Sequence, residues 1–248
     1  MKRKQRHQLK ENELAQTIAA AREAFATRKG PVTRVMAAVL AIVAIVGGVL
    51  LWRQQTNTRA EQLLGEAMVT LNARVIPASS SPAAPGEVPA AATMGATGSF
   101  SSEAAKLNAA APKLKAAADA YPDTDAGITA RYHYASSQAA LGKYDEAMKA
   151  FDEVLQRTGN NSLYGRMSQM GKADTQARAG QLDAAIATWK ELAASQDDQL
   201  PKDAILMELA RAYQAKGNQE EARKTFNQIV DEHPTSPYLA DARAALGS

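Results

Sequence analysis

The chain has 248 residues, is rich in alanine and poor in aromatic residues (5%), and contains no cysteine. This composition favours helices packed through small side chains over a β-sandwich, and the missing cysteines exclude thiolate catalysis, thiolate-bound zinc and disulfides. The net charge of +3 is concentrated at the start, because residues 1–34 hold nine Lys or Arg against three Glu, so it does not provide the extended basic face that a nucleic-acid-binding fold needs.

Residues 1–30 are predicted to be a basic cytoplasmic segment that contains an amphipathic helix. A narrow apolar stripe recurs there at helical spacing, formed by Leu14, Ile18, Ala21 and Phe25. A helix of this kind suits the inner membrane surface or a cytoplasmic partner. A solvated helix that only enforces membrane orientation fits the sequence equally well.

The next element is an apolar stretch from Val35 to Trp52, which has no charged, amide or hydroxyl side chain. It is just long enough to cross the hydrocarbon core as a helix, and Arg34 and Arg53 flank it. A buried core helix is the alternative, but the flanking charges favour residues 31–53 as a transmembrane segment.

The flanks of this segment predict its processing and orientation. An uncleaved signal anchor fits better than a cleaved signal peptide, because 34 residues precede the stretch and no Ala-x-Ala site follows Trp52. Basic residues are far more frequent before the span than after it, so we expect a cytoplasmic N-terminus. The sequence therefore predicts a single-pass protein of the bacterial inner (cytoplasmic) membrane with residues 54–248 in the periplasm.

One side of the predicted span is smooth, since small residues recur there at helical spacing. This stripe predicts close packing against another transmembrane helix. The high alanine content of the whole chain is the alternative explanation. The stripe consists of Ala37, Ala41, Ala44 and Gly48.

Residues 54–75 are predicted to form an amphipathic helix, and the composition then changes sharply. Of the 27 residues in 76–102, twenty are Pro, Gly, Ser or Ala, and Glu87 is the only charge. Four prolines prevent a continuous helix, and few residues there support a core. We interpret 76–102 as a disordered insert or linker.

From residue 103 to the end, successive helical stretches end at regularly spaced glycines. In three places a Gly is followed five residues later by Ala and four residues after that by an aromatic residue. The glycines lie 38 and 37 residues apart, a spacing that is typical of helical repeats. The three sets are Gly142/Ala147/Phe151, Gly180/Ala185/Trp189 and Gly217/Ala222/Phe226.

The last of these units resembles a tetratricopeptide repeat (TPR). It has the apolar, small, turn and proline residues of a 34-residue motif at Leu206, Leu209, Ala210, Tyr213, Gly217, Ala222, Phe226 and Pro234. Units from Ile128 and Arg166 keep the Gly, the small residues and the aromatic, and residues 106–122 match a second helix alone, with 58–75 as the possible first helix.

The resemblance implies an all-α fold, with a single N-terminal transmembrane helix followed by a TPR-like α-solenoid of antiparallel helix pairs. About three and a half repeats are expected over 103–248, closed by a C-terminal capping helix over 236–247. An unrelated helical bundle is the alternative. The anchor, the basic start and the alanine-rich repeats together resemble the YfgM-type ancillary subunit of the Sec translocon and the related TPR region of CpoB, the cell-division coordinator.

Residue patterns for catalysis or metal binding are not found in the sequence. The three histidines, His7, His133 and His233, have no metal-ligand partners at the usual spacing. Residues 165–172 resemble a phosphate loop only superficially, because the spacing of the glycines is wrong and a helix is predicted there. We therefore expect no enzyme activity, cofactor, metal, nucleic acid or small-molecule substrate.

Binding of proteins or peptide segments is the expected function. In TPR geometry, positions 2, 5, 9 and 12 of the first helix face the concave groove. Met and Tyr at these positions make an adaptable apolar floor, unless the Met side chains pack internally. The predicted groove residues are Thr129, Tyr132, Ser136, Met167, Met170, Asp174, Met207, Arg211 and Gln214.

Two functions fit this scaffold. The first is a periplasmic adaptor or chaperone-network component at the Sec translocon, with translocon subunits, chaperones or secreted chains as partners. The second is a structural organiser of the envelope or of cell division. The fold alone does not choose between them.

Overall fold

The structure is a computed structural model that describes residues 29–76, 98–195 and 200–247. Apart from one isolated bridge between Val75 and Phe100, these residues form helices, turns and loops, which confirms the predicted all-α fold. The amphipathic helix expected before residue 28 and most of the insert lie outside the described residues. The helices are α1 (Lys29–Leu71), α2 (Glu103–Ala120), α3 (Asp125–Ala140), α4 (Tyr144–Thr158), α5 (Leu163–Arg178), α6 (Leu182–Ala194), α7 (Lys202–Ala215), α8 (Gln219–Glu232) and α9 (Leu239–Gly247).

The chain divides into two compact units, residues 1–55 and 56–248. The described part of the first unit is the beginning of α1, whose large apolar side chains are exposed, for example Leu51 at 69% and Trp52 at 67%. Within Val35–Leu71, α1 contains a stretch that is long and apolar enough to cross a membrane, and none of that stretch is buried. Helix α1 is thus a candidate membrane-spanning helix near the N-terminus.

The second unit is a row of antiparallel helix pairs, namely α3/α4, α5/α6 and α7/α8. Each helix contacts the next one along the chain, and the first helices of neighbouring pairs also touch, α3 with α5 and α5 with α7. Helix α9 packs against α8 and closes the end of the row. This arrangement confirms the predicted solenoid with its capping helix.

The final turns of α1 belong to this second unit. Ala60 and Ala67 are buried there, and the Lys113 ammonium of α2 donates a hydrogen bond of 2.9 Å to the Thr70 hydroxyl. Leu63 packs against Ala117 and its neighbours, whereas residues nearer the end of α1 pack against earlier residues of α2. Residues 56–71 therefore run antiparallel to α2.

The two described ends of the insert are joined through the backbone. The Ile76 amide donates to the Phe100 carbonyl at 2.8 Å, and the Phe100 amide donates to the Arg74 carbonyl at 2.9 Å. The Phe100 side chain is buried, although the composition of 76–102 predicts a disordered stretch. It is the one aromatic residue among small ones, and its burial offsets the entropy lost when this end of the insert is fixed.

Small residues allow the two helices of each pair to approach closely. The alanines at the contact are at most 1% exposed, and the aromatic residue that follows them on the second helix is at most 2% exposed. The turn glycines of all three pairs have φ between 76° and 81°, the left-handed conformation that ends a helix at low cost. The alanines are Ala135, Ala147, Ala173, Ala185, Ala210 and Ala222, and the aromatics are Phe151, Trp189 and Phe226.

Two further glycines, Gly127 and Gly165, lie in the first turns of α3 and α5. The hydroxyls of Thr124 and Ser162 cap these helices by accepting from the amides of Gly127 and Gly165. A Cβ on Gly165 would lie 1.9 Å from the Gly159 carbonyl oxygen, and one on Gly127 would clash with a backbone carbonyl in the same way. Only glycine allows each loop to pack so closely over the start of the helix.

The Arg131 side chain links α2, α3 and α4. Its guanidinium lies 2.5 Å from Asp119 and 3.1 Å from Glu153, and the side chain is only 10% exposed. Two carboxylates thus compensate one buried cation, as a buried charge requires. Hydrogen bonds from Lys115 and Arg131 lower the pKa of Asp119 below its ordinary value.

We predict that Gly165→Ala destabilises the repeats, because the new methyl group meets a backbone carbonyl that cannot rotate away. The expected loss is about 1–3 kcal/mol, as for other overpacked sites. Gly65→Ala is the matched control, since nothing lies within 4 Å of that helical position. It should be neutral or stabilise by about 0.5–1 kcal/mol. Thermal unfolding of the full chain in detergent, followed by circular dichroism, measures both, and equal melting temperatures for the two variants would contradict the prediction.

We also predict that replacing residues 77–97 by a Gly/Ser linker of about twelve residues leaves the unfolding temperature of the repeats unchanged. The backbone bonds between Ile76, Phe100 and Arg74 remain, and a parallel bridge needs a connection of about that length. Phe100→Ala should lower the melting temperature in the same assay because it removes a buried ring. A large loss of stability in the linker variant would mean that the replaced segment itself contributes to the fold.

Candidate functional site

The first helices α3, α5 and α7 lie side by side, and they carry all of the groove residues predicted from the sequence. We call the surface that these residues share the groove. The residues on α3 and α5 are half-buried, whereas the last two on α7 are exposed. In chain order they are Thr129, Tyr132, Ser136, Met167, Met170, Asp174, Met207, Arg211 and Gln214.

Met207 differs from the rest of this set. It is 2% exposed and belongs to the core cluster that joins α6, α7 and α8. Met170 is partly buried and packs against the same cluster. The structure thus places Met207 in the core, because α7 turns this side of the helix towards its neighbours, and the accessible methionine surface belongs to α5.

Four aromatic rings meet where α3, α4 and α5 come together. The Tyr132 ring lies 5.9 Å from the Phe151 ring and 5.9 Å from the Tyr164 ring, and 5.5 Å from the ring of His133, measured between centroids. The contacts with Tyr164 and His133 are edge-to-face, a favourable geometry for aromatic pairs. The Phe151 ring in turn covers Gly171, so the cluster is continuous with the core. We call these rings the aromatic cluster.

Tyr164 was not among the residues predicted from the sequence. Its hydroxyl accepts a hydrogen bond of 2.7 Å from the Thr129 hydroxyl, which joins α5 to α3. It precedes the counted start of its repeat, and so the motif positions excluded it. The available signal was its spacing, because Tyr164 lies three residues before Met167 and therefore on the same side of α5.

Charged residues of the groove are held in ion pairs. Asp174 pairs with Arg178 at 3.1 Å on α5, and Arg211 pairs with Glu208 at 3.0 Å and with Asp241 of the capping helix at 3.5 Å. These side chains are 37–64% exposed, so each pair adds little to stability. The groove is thus aromatic and apolar at α3 and α5 and ionic towards α7 and α9.

Burial perturbs the titration of two residues in the aromatic cluster. It raises the pKa of Tyr132 above its ordinary value and lowers the pKa of His133, since burial disfavours the charged form of each. Neutral Tyr132 and neutral His133 therefore dominate near pH 7.

The described residues contain no group of three or more side chains that could hold a metal ion. The stretch from Gly165 to Lys172, which resembles a phosphate loop in the sequence, lies inside α5. The backbone amides of this stretch are hydrogen-bonded within the helix, whereas a phosphate loop requires free amides at the start of a helix. The arrangement suits binding, and its chemistry is that of an apolar floor with a few polar groups.

Comparison with known proteins supports the repeat assignment. Tetratricopeptide repeat families match residues 129–157 and 170–237. No curated protein sequence matches the chain. A crystal structure of nearly identical TPR-like repeats, from a Podosopora anserina protein assigned as a kinesin light chain, is similar to this chain with 21% identity and a TM-score of 0.50, and covers 57% of this chain and 76% of that one. A single-substitution variant of it matches with 20% identity, the same coverage and the same TM-score.

The chain therefore carries tetratricopeptide repeats, as predicted, and shares the fold of TPR-like structures. Such repeats are typical of scaffolds that bind other proteins, and no enzyme domain is matched. These matches do not test the narrower resemblance to the YfgM-type and CpoB-like proteins, which stays a prediction.

We predict that His133 makes the stability of the repeats pH-dependent. Its pKa is lowered in the folded chain, so the unfolded chain takes up a proton first as the pH falls. Stability should then decrease as the pH drops below about 6.5, the ordinary histidine pKa, and level off below the folded pKa. His133→Asn should flatten this decrease. Melting temperatures of both proteins from pH 7.5 to pH 5 measure it, and parallel curves would contradict the prediction.

Proposed function

We propose that this protein is a membrane-anchored TPR adaptor whose groove binds segments of partner proteins. The observation that carries the proposal is the half-buried apolar floor formed by Tyr132, Tyr164 and Met167 on the first helices of neighbouring repeats, with Phe151 of α4 packed beneath Tyr132. Aromatic and methionine side chains bury large areas without fixed polar demands, so one floor accepts several sequences. Ser136, Asp174, Arg211 and Gln214 add polar contacts along the same groove.

We further propose that α1 anchors the protein in the bacterial inner membrane, with the N-terminus in the cytoplasm and the repeats in the periplasm. Two observations support this proposal, namely the exposed apolar side chains of α1 and the excess of basic residues before them. On the exposed surface of the span, the stripe of Ala37, Ala41, Ala44 and Gly48 is proposed to receive a partner helix.

In that location the groove would meet unfolded or partly folded secreted chains, and we propose that the protein works beside the Sec translocon or within the periplasmic chaperone network. An apolar, adaptable floor suits such chains because their sequences vary. A scaffold for the envelope or for division would instead bind folded partners of fixed sequence.

A photo-crosslinking amino acid at Met167 or Met170 tests this proposal in membranes. We expect crosslinks to nascent secreted chains or translocon subunits from both positions. Lys224 is the matched control, because it is exposed on the second helix α8, away from the groove residues. Crosslinks only to division or lipoprotein partners, or equal yields from Lys224, would reject the export proposal.

The proposed topology is tested independently of any partner. The chain has no native cysteine, so single cysteines at Gln5 and Ala240 can be labelled with a membrane-impermeant maleimide. We expect labelling of whole spheroplasts at Ala240→Cys alone. Labelling at Gln5→Cys alone would place the repeats in the cytoplasm and rule out the proposed function there.

A further inference from the structure

The Thr129–Tyr164 contact crosses from one repeat to the next at the edge of the groove. Thr129 follows the glycine-capped start of α3 by two residues, and Tyr164 immediately precedes Gly165 in the matching start of α5. Both caps depend on a glycine that a carbonyl oxygen approaches closely, so both residues are held by rigid backbone. The backbone that carries each side chain is thus well defined, and the hydrogen bond between the two hydroxyls joins the repeats.

After accepting the hydrogen bond from Thr129, the Tyr164 hydroxyl still has its own proton to donate. The Thr129 hydroxyl donates to the phenol oxygen, and a phenol carries one proton of its own. Among residues 29–76, 98–195 and 200–247, no acceptor for that proton is found. The ring is half-buried, so a group bound beside it would be partly shielded from water, which strengthens a hydrogen bond.

Apolar surface lies next to this donor. The edge-to-face contact between Tyr164 and Tyr132 leads into the aromatic cluster, and Met167 lies one turn further along α5. The preceding residue, Leu163, is 50% exposed, which is unusual for a large apolar side chain among the repeats. A partner therefore meets a neutral donor close to exposed apolar side chains.

The charged side chains of α5 are bonded within the protein, and Arg166, two residues from Tyr164, donates to the Ser195 hydroxyl at 2.8 Å. On α5, Lys172 pairs with Asp152 at 2.5 Å, and Asp174 and Arg178 pair with each other. These ion pairs are already neutralised within the protein, so they offer a charged ligand little net attraction. A neutral acceptor beside an apolar side chain is the combination that an extended peptide provides, because every residue carries a main-chain carbonyl.

We propose that Tyr164 is a peptide-binding residue of the groove, whose hydroxyl donates to a main-chain carbonyl of an extended peptide segment. An apolar side chain of that peptide lies on Tyr132 and Met167, and Thr129 orients the donor. This inference rests on the proposed binding function and adds the chemistry by which the peptide is recognised.

The test uses a random twelve-residue peptide library, displayed on phage and selected against the full chain in nanodiscs. The tightest binder is then synthesised with a fluorescent label. We expect Tyr164→Phe to weaken its binding about 2- to 10-fold, the loss of one neutral hydrogen bond. Thr129→Val should weaken binding in the same direction, and Thr129→Ser should restore it. Tyr144→Phe, a half-buried tyrosine at the start of α4, is the control and should bind as the original chain does.

A second measurement separates recognition from a merely structural role. The same peptide is made with single carbonyls replaced by thiocarbonyls, which are poorer acceptors. At one position the replacement should weaken binding to the original chain and not weaken binding to Tyr164→Phe further, because the bond is already absent. Additive losses at every position would overturn the inference.

The failures of the two proposals are distinguishable. If peptides are selected and Met167 crosslinks to them, but Tyr164→Phe binds them with unchanged affinity, the assignment of Tyr164 is wrong and the binding function stands. If no peptide is selected although Met167 crosslinks to a partner in membranes, the peptide assignment of Tyr164 is wrong and the binding function stands; if Met167 gives no crosslinks either, the binding function itself is rejected.

Discussion

The close approach of the two helices within each repeat is the constraint on which the rest of this structure depends. Alanine pairs such as Ala135 with Ala147 and Ala210 with Ala222 are almost completely buried at the contact. With only a methyl group on each side, the two backbones come close enough for dense packing, and the aromatic residue of the second helix then fills the space towards the next pair. A larger side chain at any of these alanines would separate the helices and remove the partner surface of that aromatic residue.

This packing also produces the groove and its asymmetry. The Phe151 ring covers Gly171 of the next repeat and supports the Tyr132 ring, so the aromatic cluster is held by the core at its base. Towards the C-terminus the corresponding position, Met207, is used for packing, and the exposed residues belong to ion pairs that reach the capping helix. One groove therefore has an apolar part that suits adaptable binding and an ionic part that is internally paired.

Helix α1 contains two kinds of surface, and the difference has a simple cause. Around Leu50 and Leu51 it is apolar on every side and exposed, whereas near Ala60 and Ala67 only one side is apolar and that side is buried. A helix that is apolar all round needs an apolar environment, and a one-sided helix needs a partner surface. The proposed membrane anchor and the first helix of the N-terminal half-repeat follow from these two patterns.

Local spacing alone was enough to predict the helices, the turn glycines, the repeat period and the apolar helix near the N-terminus, because each depends on residues close in the chain. It did not reveal Tyr164, whose role comes from a hydroxyl thirty-five residues away in sequence. It also included Met207 in the groove and Phe100 in the insert, although the structure buries both side chains. Which side of a helix is covered depends on the helices that pack against it, and that arrangement arises only when distant segments meet in the folded chain.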